Sequence, residues 1–160
     1  MNIKIVSGGQ TGVDRAALDF ARDTNIPSGG WCPPGRRAED GIISADYRLQ
    51  EMPEGGYRER TWQNVIDSDG TLIIYNGTLS GGTAETVRAV QKHQKPLLQI
   101  DAAHSNPSDA AISLDAFIQK HRICCLNVAG PRTSQWEKGY IYTIKLLRTF
   151  LRKSNVISCR

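Results

Sequence analysis

Short apolar runs alternate along the chain with segments in which apolar residues recur at helical spacing. The runs are rich in β-branched residues and predict buried strands at residues 3–6, 71–75, 97–100 and 123–129. The spaced segments predict a helix that begins near residue 11 or 12, and helices over residues 57–66, 82–93, 110–121 and 135–153. Strands that alternate with helices in this way are typical of a parallel sheet covered by helices.

The alternation predicts an α/β fold with a Rossmann-like, doubly wound, mainly parallel sheet and helices on both faces. Residues 28–31 predict a further short strand or extended segment. Residues 42–52 predict a segment that is partly helical. The fourth predicted helix should turn three apolar side chains inward, those of Ile112, Ala116 and Phe117. In a sheet of this kind, ligands bind at the carboxyl edge of the strands.

Composition places the chain among globular proteins of ordinary kind. Its 160 residues are 39% hydrophobic and 22% charged, which is ordinary for a globular protein, and this length predicts one domain. Together with the alternation of strands and helices, we expect a single Rossmann-like ligand-binding domain over residues 1–160. No apolar run approaches the roughly 20 residues that a membrane span needs, so we expect no membrane association. The first residues lead directly into a strand and show no secretory pattern, so we expect a cytoplasmic protein.

Cysteines and histidines give no sign of a metal site. The four cysteines form no CxxC pair and, in a cytoplasmic protein, are expected to carry free thiols: Cys32, Cys124, Cys125 and Cys159. The three histidines show no zinc-ligand spacing and fit a surface location. We therefore expect no metal bound directly by the chain, and the role of Cys32 stays open.

The net charge is mildly positive, since 20 basic residues minus 16 acidic residues leave +4. The basic residues are spread along the chain except in the last predicted helix, where a solvated face explains them. This charge does not require a nucleic acid partner, and we expect none. A small anionic ligand fits it equally well.

Three predicted strands are followed by loops of similar chemistry. The sequences are SGGQTG at residues 7–12, SGGT at residues 80–83 and GPRTS at residues 130–134. Each loop offers small residues, hydroxyl groups and the N-terminus of a helix, and in a parallel sheet all three should lie at one edge. Unpaired N–H groups and the helix dipole favour an anion there. The alternative is that the hydroxyl groups serve only as helix N-caps.

Arginines could add positive charge to such a site. Two adjacent ones lie in a loop over residues 32–41, in which two prolines and two glycines disfavour regular structure. The charged side chains of that loop either have a functional role or form ion pairs with one another. Arg132 is the expected direct partner of an anion, because a guanidinium can bind phosphate through two hydrogen bonds.

These observations define a candidate site. The residues predicted to bind the ligand or its phosphate are Gly8, Gly9, Gln10, Thr11, Gly12, Arg36, Arg37, Ser80, Gly81, Gly82, Thr83 and Arg132. Glu85 is the candidate catalytic residue for an enzyme, as a general base or as a partner of a ribose hydroxyl. Its alternative role is a favourable negative charge at a helix N-terminus.

The chain resembles the molybdenum carrier protein family, a circularly permuted, YpsA-related branch of the Rossmann-like LOG/SLOG superfamily. The resembling segments cover most of the chain: residues 7–21, 30–51, 57–74, 79–86 and 126–132. The resemblance implies a Rossmann-like sheet and self-association as a dimer or tetramer. It also implies binding of molybdenum cofactor (molybdopterin) or a nucleotide, and molybdoenzymes as recipients of the cofactor.

The resemblance leaves a carrier and an enzyme as competing hypotheses. LOG-type relatives use a GGxGTxxE motif for phosphoribosyl hydrolysis of nucleotides, so a nucleotide phosphoribohydrolase (N-glycosidase) is the alternative to a carrier. Here Gly81-Gly82-Thr83-Ala84-Glu85 lacks the third glycine and has one residue between threonine and glutamate. That departure favours a binding protein. A third hypothesis is an interaction module in which the glycine loops are only structural.

Overall fold

The computed structural model describes residues 2–154. In chain order the strands are β1 (Lys4–Val6), β2 (Ser28–Gly29), β3 (Trp31–Cys32), β4 (Arg37–Ala38), β5 (Gly41–Ile42), β6 (Gln50–Glu51), β7 (Gly70–Tyr75), β8 (Leu97–Asp101) and β9 (Cys125–Ala129). The helices are α1 (Val13–Asp23), α2 (Tyr57–Ile66), α3 (Gly81–Lys92), α4 (Pro107–His121) and α5 (Gly139–Lys153), with a 3-10 turn at Pro34–Arg36.

Five parallel strands form the central sheet in the order β2-β1-β9-β7-β8. α1, α4 and α5 pack together against one face, where their apolar side chains form the main core. α2 and α3 pack together in a separate cluster. Within β7, Leu72 and Ile74 belong to the main core, and Ile73 between them is also fully buried. The predicted α/β, Rossmann-like fold with a mainly parallel sheet is confirmed.

Residues 42–52 are not helical, so that prediction is wrong. The 33–49 segment instead runs irregularly over α1, and Arg36 donates hydrogen bonds to carbonyl oxygens of the segment that a helix would have used internally. Ile43 and Leu49 are buried in a small cluster with Leu18 of α1 and Cys32. Besides the short antiparallel pair β4–β5, the segment is therefore held mainly by side-chain hydrogen bonds and by packing.

Other predictions need smaller corrections. Ile112 is 57% exposed and Ala116 is exposed, because α4 turns a different face inward, with Ala110, Ala111, Leu114, Phe117 and Ile118 buried. β9 begins at Cys125, two residues later than expected. α5 begins at Gly139 rather than near residue 135, since the N–H groups of Gln135 and Trp136 both donate to Arg132 O in a tight turn before it.

The cysteines divide into two kinds. Cys32 and Cys125 carry free thiols, as expected, whereas Cys124 is disulfide-bonded. The expectation of a free thiol is therefore wrong for Cys124, because spacing in the sequence does not show which thiols approach one another. Cys159 lies outside the described residues. Between residues 2 and 154, no helix is both long enough and apolar enough to cross a membrane.

Candidate anion-binding site

A pocket opens at the carboxyl edge of the central sheet, and loops from three strands line it. Gly8 and Gln10 come from the loop after β1, and Gly82 and Thr83 come from the start of α3, which follows β7. Gly130 and Arg132 come from the loop after β9. The pocket is open to solvent, and its empty volume is about 560 Å³ including the open mouth. The cleft thus has room for a phosphate and for the larger group that carries it.

Helix α2 supplies a fourth wall. Tyr57, Arg60, Thr61 and Asn64 all line the pocket from this helix. The sequence predicted the helix but not this role. Arg60 is 9% exposed and lies on the buried side of α2, a location for a charged residue that signals a paired or functional group.

Arg60 forms a buried ion pair with Asp14 of α1. The distance from Arg60 Nη1 to Asp14 Oδ2 is 3.2 Å, and the two side chains are 11% and 5% exposed. Asp14 also accepts hydrogen bonds from the backbone of Gln10 and Gly130. Burial raises the pKa of Asp14, and the charge of Arg60 and these hydrogen bonds offset that effect only in part. The carboxylate of Asp14 thus faces the pocket at an energetic cost.

Two buried donors in the pocket wall have no hydrogen-bond partner. They are Gln10 Nε2 and Arg60 Nε, and their residues are 6% and 9% exposed. The Gln10 side chain is oriented by its other end, because Oε1 accepts from the N–H groups of Thr11 at 3.1 Å and Glu39 at 2.9 Å. A buried donor left unsatisfied costs about 1–3 kcal/mol. Both groups can only donate, so an oxyanion would satisfy them.

Glycine permits the close contacts on which this wall depends. A Cβ atom at Gly8 would lie 1.6 Å from Arg60 Nη1, so a side chain there would displace the guanidinium. Gly12 has φ +79°, and a Cβ atom would lie 2.6 Å from Pro131 O in the neighbouring loop. Gly82 differs, because a Cβ atom there would meet nothing within 4 Å. The space next to Gly82 is open to a ligand.

Arg132 and Tyr57 lie near the mouth of the pocket. The guanidinium carbons of Arg132 and Arg60 are 5.6 Å and 5.7 Å from the centre of the Tyr57 ring. Among residues 2–154, no carboxylate lies within 4.0 Å of the Arg132 guanidinium. No ion pair among the described residues occupies this guanidinium, and its charge acts on Glu39 only at longer range.

Thr11 braces the loops instead of lining the pocket. Its hydroxyl donates to Glu39 and accepts from the N–H group of Thr133 at 3.1 Å. Glu39 also accepts from Ser134, at 3.1 Å from N and 2.6 Å from Oγ. Desolvation opposes ionisation of Glu39, but the hydrogen bonds from Ser134 and Thr11 and the charge of Arg132 outweigh it and lower its pKa. Glu39 thus joins the loops after β1 and β9.

The structure places the other predicted residues outside the pocket wall. Arg36 supports the 33–49 segment, and Arg37 is exposed and donates to Pro34 O at 3.1 Å. Five of the predicted residues line the wall, and the remainder do not: Gly9, Thr11, Gly12, Arg36, Arg37, Ser80 and Gly81. Over the described part of the chain, no group of three or more His, Cys, Asp or Glu residues is placed to hold a metal ion.

Glu85 also lies outside the pocket wall, on α3. It accepts hydrogen bonds from Trp62 Nε1 at 2.7 Å, Arg58 Nε at 2.9 Å and Arg88 Nη1 at 2.9 Å. The hydrogen bonds from Trp62 and Arg88 are the main causes that lower its pKa. A carboxylate held in this way by three donors on α2 and α3 is a weak proton acceptor.

Comparisons with known proteins agree with this architecture. The model of the circularly permutated YpsA SLOG family matches residues 5–151. The chain is 50% identical to a protein from Syntrophus aciditrophicus SB described as a putative molybdenum carrier protein, whose crystal structure was determined at 1.45 Å resolution. The similarity covers 92% of this chain and 94% of that one, with a TM-score of 0.91. None of the curated proteins compared with the chain matches it.

The family match covers nearly the whole chain, including all the loops that line the pocket, and the structural similarity is of the same extent. The chain therefore belongs to the circularly permuted YpsA SLOG family.

Proposed function

We propose that the protein binds and carries molybdenum cofactor or a chemically similar ligand, a phosphorylated pterin or nucleotide. The observation that carries the proposal is the pair of unpartnered donors, Gln10 Nε2 and Arg60 Nε, in a pocket wall. A phosphate group would accept hydrogen bonds from both and remove the cost of leaving them buried and unsatisfied. The Syntrophus aciditrophicus protein is described as a putative molybdenum carrier protein, which supports a cargo that contains molybdenum.

The residues of the pocket fit such a ligand in size and charge. The cleft, with an empty volume of about 560 Å³ including its open mouth, has room for a phosphate and for the remainder of the ligand. Arg132 adds a guanidinium that forms no ion pair within 4.0 Å among residues 2–154, and it can bind phosphate through two hydrogen bonds. The first turn of α3 presents backbone N–H groups on the side of the pocket. The side chain of Ser80, the residue before the helix, does not cap these groups.

The placement of Glu85 does not favour the alternative, a LOG-like nucleotide phosphoribohydrolase. Glu85 lies outside the pocket wall and is held by Trp62, Arg58 and Arg88. A catalytic glutamate would need to approach the ribose of a nucleotide bound in the pocket. The binding hypothesis needs no such group.

The proposal extends to assembly and partners. We expect a homo-oligomer, a dimer or tetramer, that transfers its cargo to molybdoenzymes in the cytoplasm. Ile112 of α4 and Ile141 of α5 are 57% and 49% exposed, and burying such side chains is what self-association would achieve. Sedimentation equilibrium should give a mass at least twice the 17.7 kDa of one chain, and a single-chain mass would contradict the oligomer.

Ligand-dependent thermal stability tests the proposed function. The panel comprises phosphorylated pterins, nucleoside mono-, di- and triphosphates, molybdate and tungstate. A ligand present at about 100 times its dissociation constant should add roughly 2.7 kcal/mol of stability, which raises the melting temperature by several degrees. We expect this from a phosphorylated pterin or a nucleotide.

A matched pair of variants locates the binding. Arg132→Ala removes a guanidinium at the pocket and should weaken binding at least tenfold, whereas Arg37→Ala removes an exposed guanidinium elsewhere and should not. The proposal fails if no member of the panel stabilises the protein, or if both variants weaken binding equally.

A further inference from the structure

Asp14 is a carboxylate in the wall of a pocket that otherwise offers donors. It is 3% exposed, and its Oδ2 atom lies 3.2 Å from Arg60 Nη1. On the same guanidinium, Nε is buried and has no hydrogen-bond partner, and Arg60 itself lines the pocket. Because Arg60 and Asp14 both line the pocket and pair with each other, an oxyanion that binds the guanidinium of Arg60 lies close to the carboxylate. The carboxylate of Asp14 and a bound oxyanion would repel each other if both were fully ionised, so their proximity requires an explanation.

The charges of the pocket wall add up to one positive charge. Its charged groups are Arg60 of α2, Arg132 of the loop after β9 and Asp14 of α1, and its other titratable group is Tyr57 of α2. A singly charged oxyanion balances them. A doubly charged oxyanion leaves one negative charge in a poorly hydrated site, and one proton on Asp14 or on the oxyanion would neutralise it.

We propose that Asp14 and the bound anion share one proton, so that the pocket selects oxyanions that readily carry a proton at neutral pH. Phosphate monoesters belong to this class, with a second pKa of about 6. Sulfate and free molybdate do not, because both are fully ionised at neutral pH. This inference rests on the proposed function and makes it more specific: the pocket takes the phosphate of its ligand and discriminates against the bare tetrahedral metal oxyanion.

The surroundings of Asp14 support proton sharing. Burial raises the pKa of Asp14, which favours the protonated form of the carboxyl group. Arg15, the next residue, is turned away and pairs with Asp40 at 3.0 Å. Arg60 is thus the one cation that pairs with Asp14 among residues 2–154. Because a single cation offsets the charge of Asp14, a second negative charge nearby favours protonation of its carboxylate.

Isothermal titration calorimetry of the full chain tests the inference with inorganic phosphate, sulfate and molybdate as probes. Between about pH 8 and about pH 6, the dissociation constant for sulfate should fall by up to tenfold per pH unit, because binding takes up one proton. Titrations in two buffers of different ionisation enthalpy count that proton directly. At about pH 7, phosphate should bind at least tenfold more tightly than sulfate or molybdate.

Asp14→Asn is the decisive variant, because it removes the carboxylate and keeps an acceptor for the backbone N–H groups. It should bind sulfate more tightly at about pH 8, lose the pH dependence and bring the ratio of the phosphate and sulfate dissociation constants towards one. Asp40→Asn is the matched control, since it removes an exposed carboxylate paired with Arg15, and should change neither the ratio nor the pH dependence.

The outcomes separate this inference from the proposed function. Equal binding of phosphate and sulfate by the wild-type chain, with no proton taken up, overturns the shared proton and leaves an anion pocket. Absence of binding for all three probes and for phosphorylated pterins and nucleotides overturns the proposed function and this inference with it. The wild-type proton count decides the question even if Asp14→Asn does not fold.

Discussion

Arg36 and Arg37 are adjacent, yet the structure gives them different environments. Arg36 is half-buried and donates to carbonyl oxygens in the second half of the 33–49 segment, including Ile43 O at 2.9 Å and Leu49 O at 3.2 Å. Arg37 is exposed and donates to Pro34 O. Both were predicted to bind the ligand, because sequence shows the charge of a side chain but not whether nearby carbonyl groups already occupy it.

Replacing these two arginines separates their roles. Arg36→Ala should lower the free energy of unfolding by about 2 kcal/mol, because several charge-assisted hydrogen bonds are lost and carbonyl groups of the 33–49 segment lose their donor. Arg37→Ala should change it by less than about 0.5 kcal/mol, as is usual for exposed residues. Urea denaturation measures both values. Equal losses would contradict the structural role of Arg36.

Glycine at position 8 is required by space and not by backbone conformation. Gly8→Ala places a Cβ atom 1.6 Å from Arg60 Nη1, so the guanidinium must move away from Asp14. Leaving a buried charge without its partner should cost about 3 kcal/mol, measured by urea denaturation, and should abolish phosphate binding.

Gly82→Ala is the matched control for that variant. The added methyl group meets nothing within 4 Å, so the unliganded protein should keep its stability or gain up to about 0.5 kcal/mol from helix propensity. Phosphorylated ligands should nevertheless bind less tightly, since Gly82 lines the pocket. A large loss of stability in Gly82→Ala would show that the space is not open.

At the scale of elements, α2 is fixed between the pocket and α3. Arg60 connects it to α1 through Asp14, and Trp62 connects it to α3 through Glu85. Val65 is buried against Ala89 and Val90 of α3. The position of α2 therefore determines where Arg60 and Tyr57 lie in the pocket, and Glu85 acts on the site through this helix.

Glu85→Ala should weaken the attachment of α2 and α3. The pKa of Glu85 is lowered from 4.5, so its stabilising effect is present above that value and is lost as the pH falls through the lower pKa of the folded state. Wild-type stability should therefore decrease on acidification below about pH 4.5, and Glu85→Ala should show a shallower decrease. Urea denaturation between about pH 7 and about pH 3 measures this, with Glu54→Ala, an exposed carboxylate, as the control. Parallel curves for wild type and Glu85→Ala would contradict the role.

The elements were more predictable than the site. The pattern of apolar residues predicted the central strands and the five helices, because burial on a sheet or helix face leaves a periodic trace. It could not show that Arg60 pairs with Asp14, 46 residues earlier, since that contact depends on how α1 and α2 pack. The loops after β1, β7 and β9 were recognisable from their glycines, but the contact between Thr11 and Glu39 was not.

At the scale of the whole molecule, the net charge of +4 acts on any anionic ligand before it reaches the pocket. A protein of positive charge attracts anions over a distance that the ionic strength determines. The screening length is about 30 Å at 0.01 M salt and about 8 Å at 0.15 M. An approaching ligand therefore interacts electrostatically with most of the surface charge only at low ionic strength.

Association of a phosphorylated ligand should accordingly slow severalfold between about 0.01 M and about 0.15 M sodium chloride. Stopped-flow fluorescence measures the association rate constant, and sucrose at equal osmolality, which does not screen charge, should have little effect. An association rate constant that does not change with salt would show that the net charge does not guide the ligand.

The order of strands has a consequence for how the protein is made. β1 lies between β2 and β9, and Ser7 Oγ donates to Val128 O at 2.6 Å across 121 residues of chain. A ribosome that adds about 5–20 residues per second needs roughly ten seconds to bring β9 out after β1. During that time β1 lacks an inner neighbour, and its unpaired edge is a target for chaperones and for aggregation. The pocket, with Asp14 and Arg60 facing the loop after β9, is thus among the last parts of the nascent protein to form.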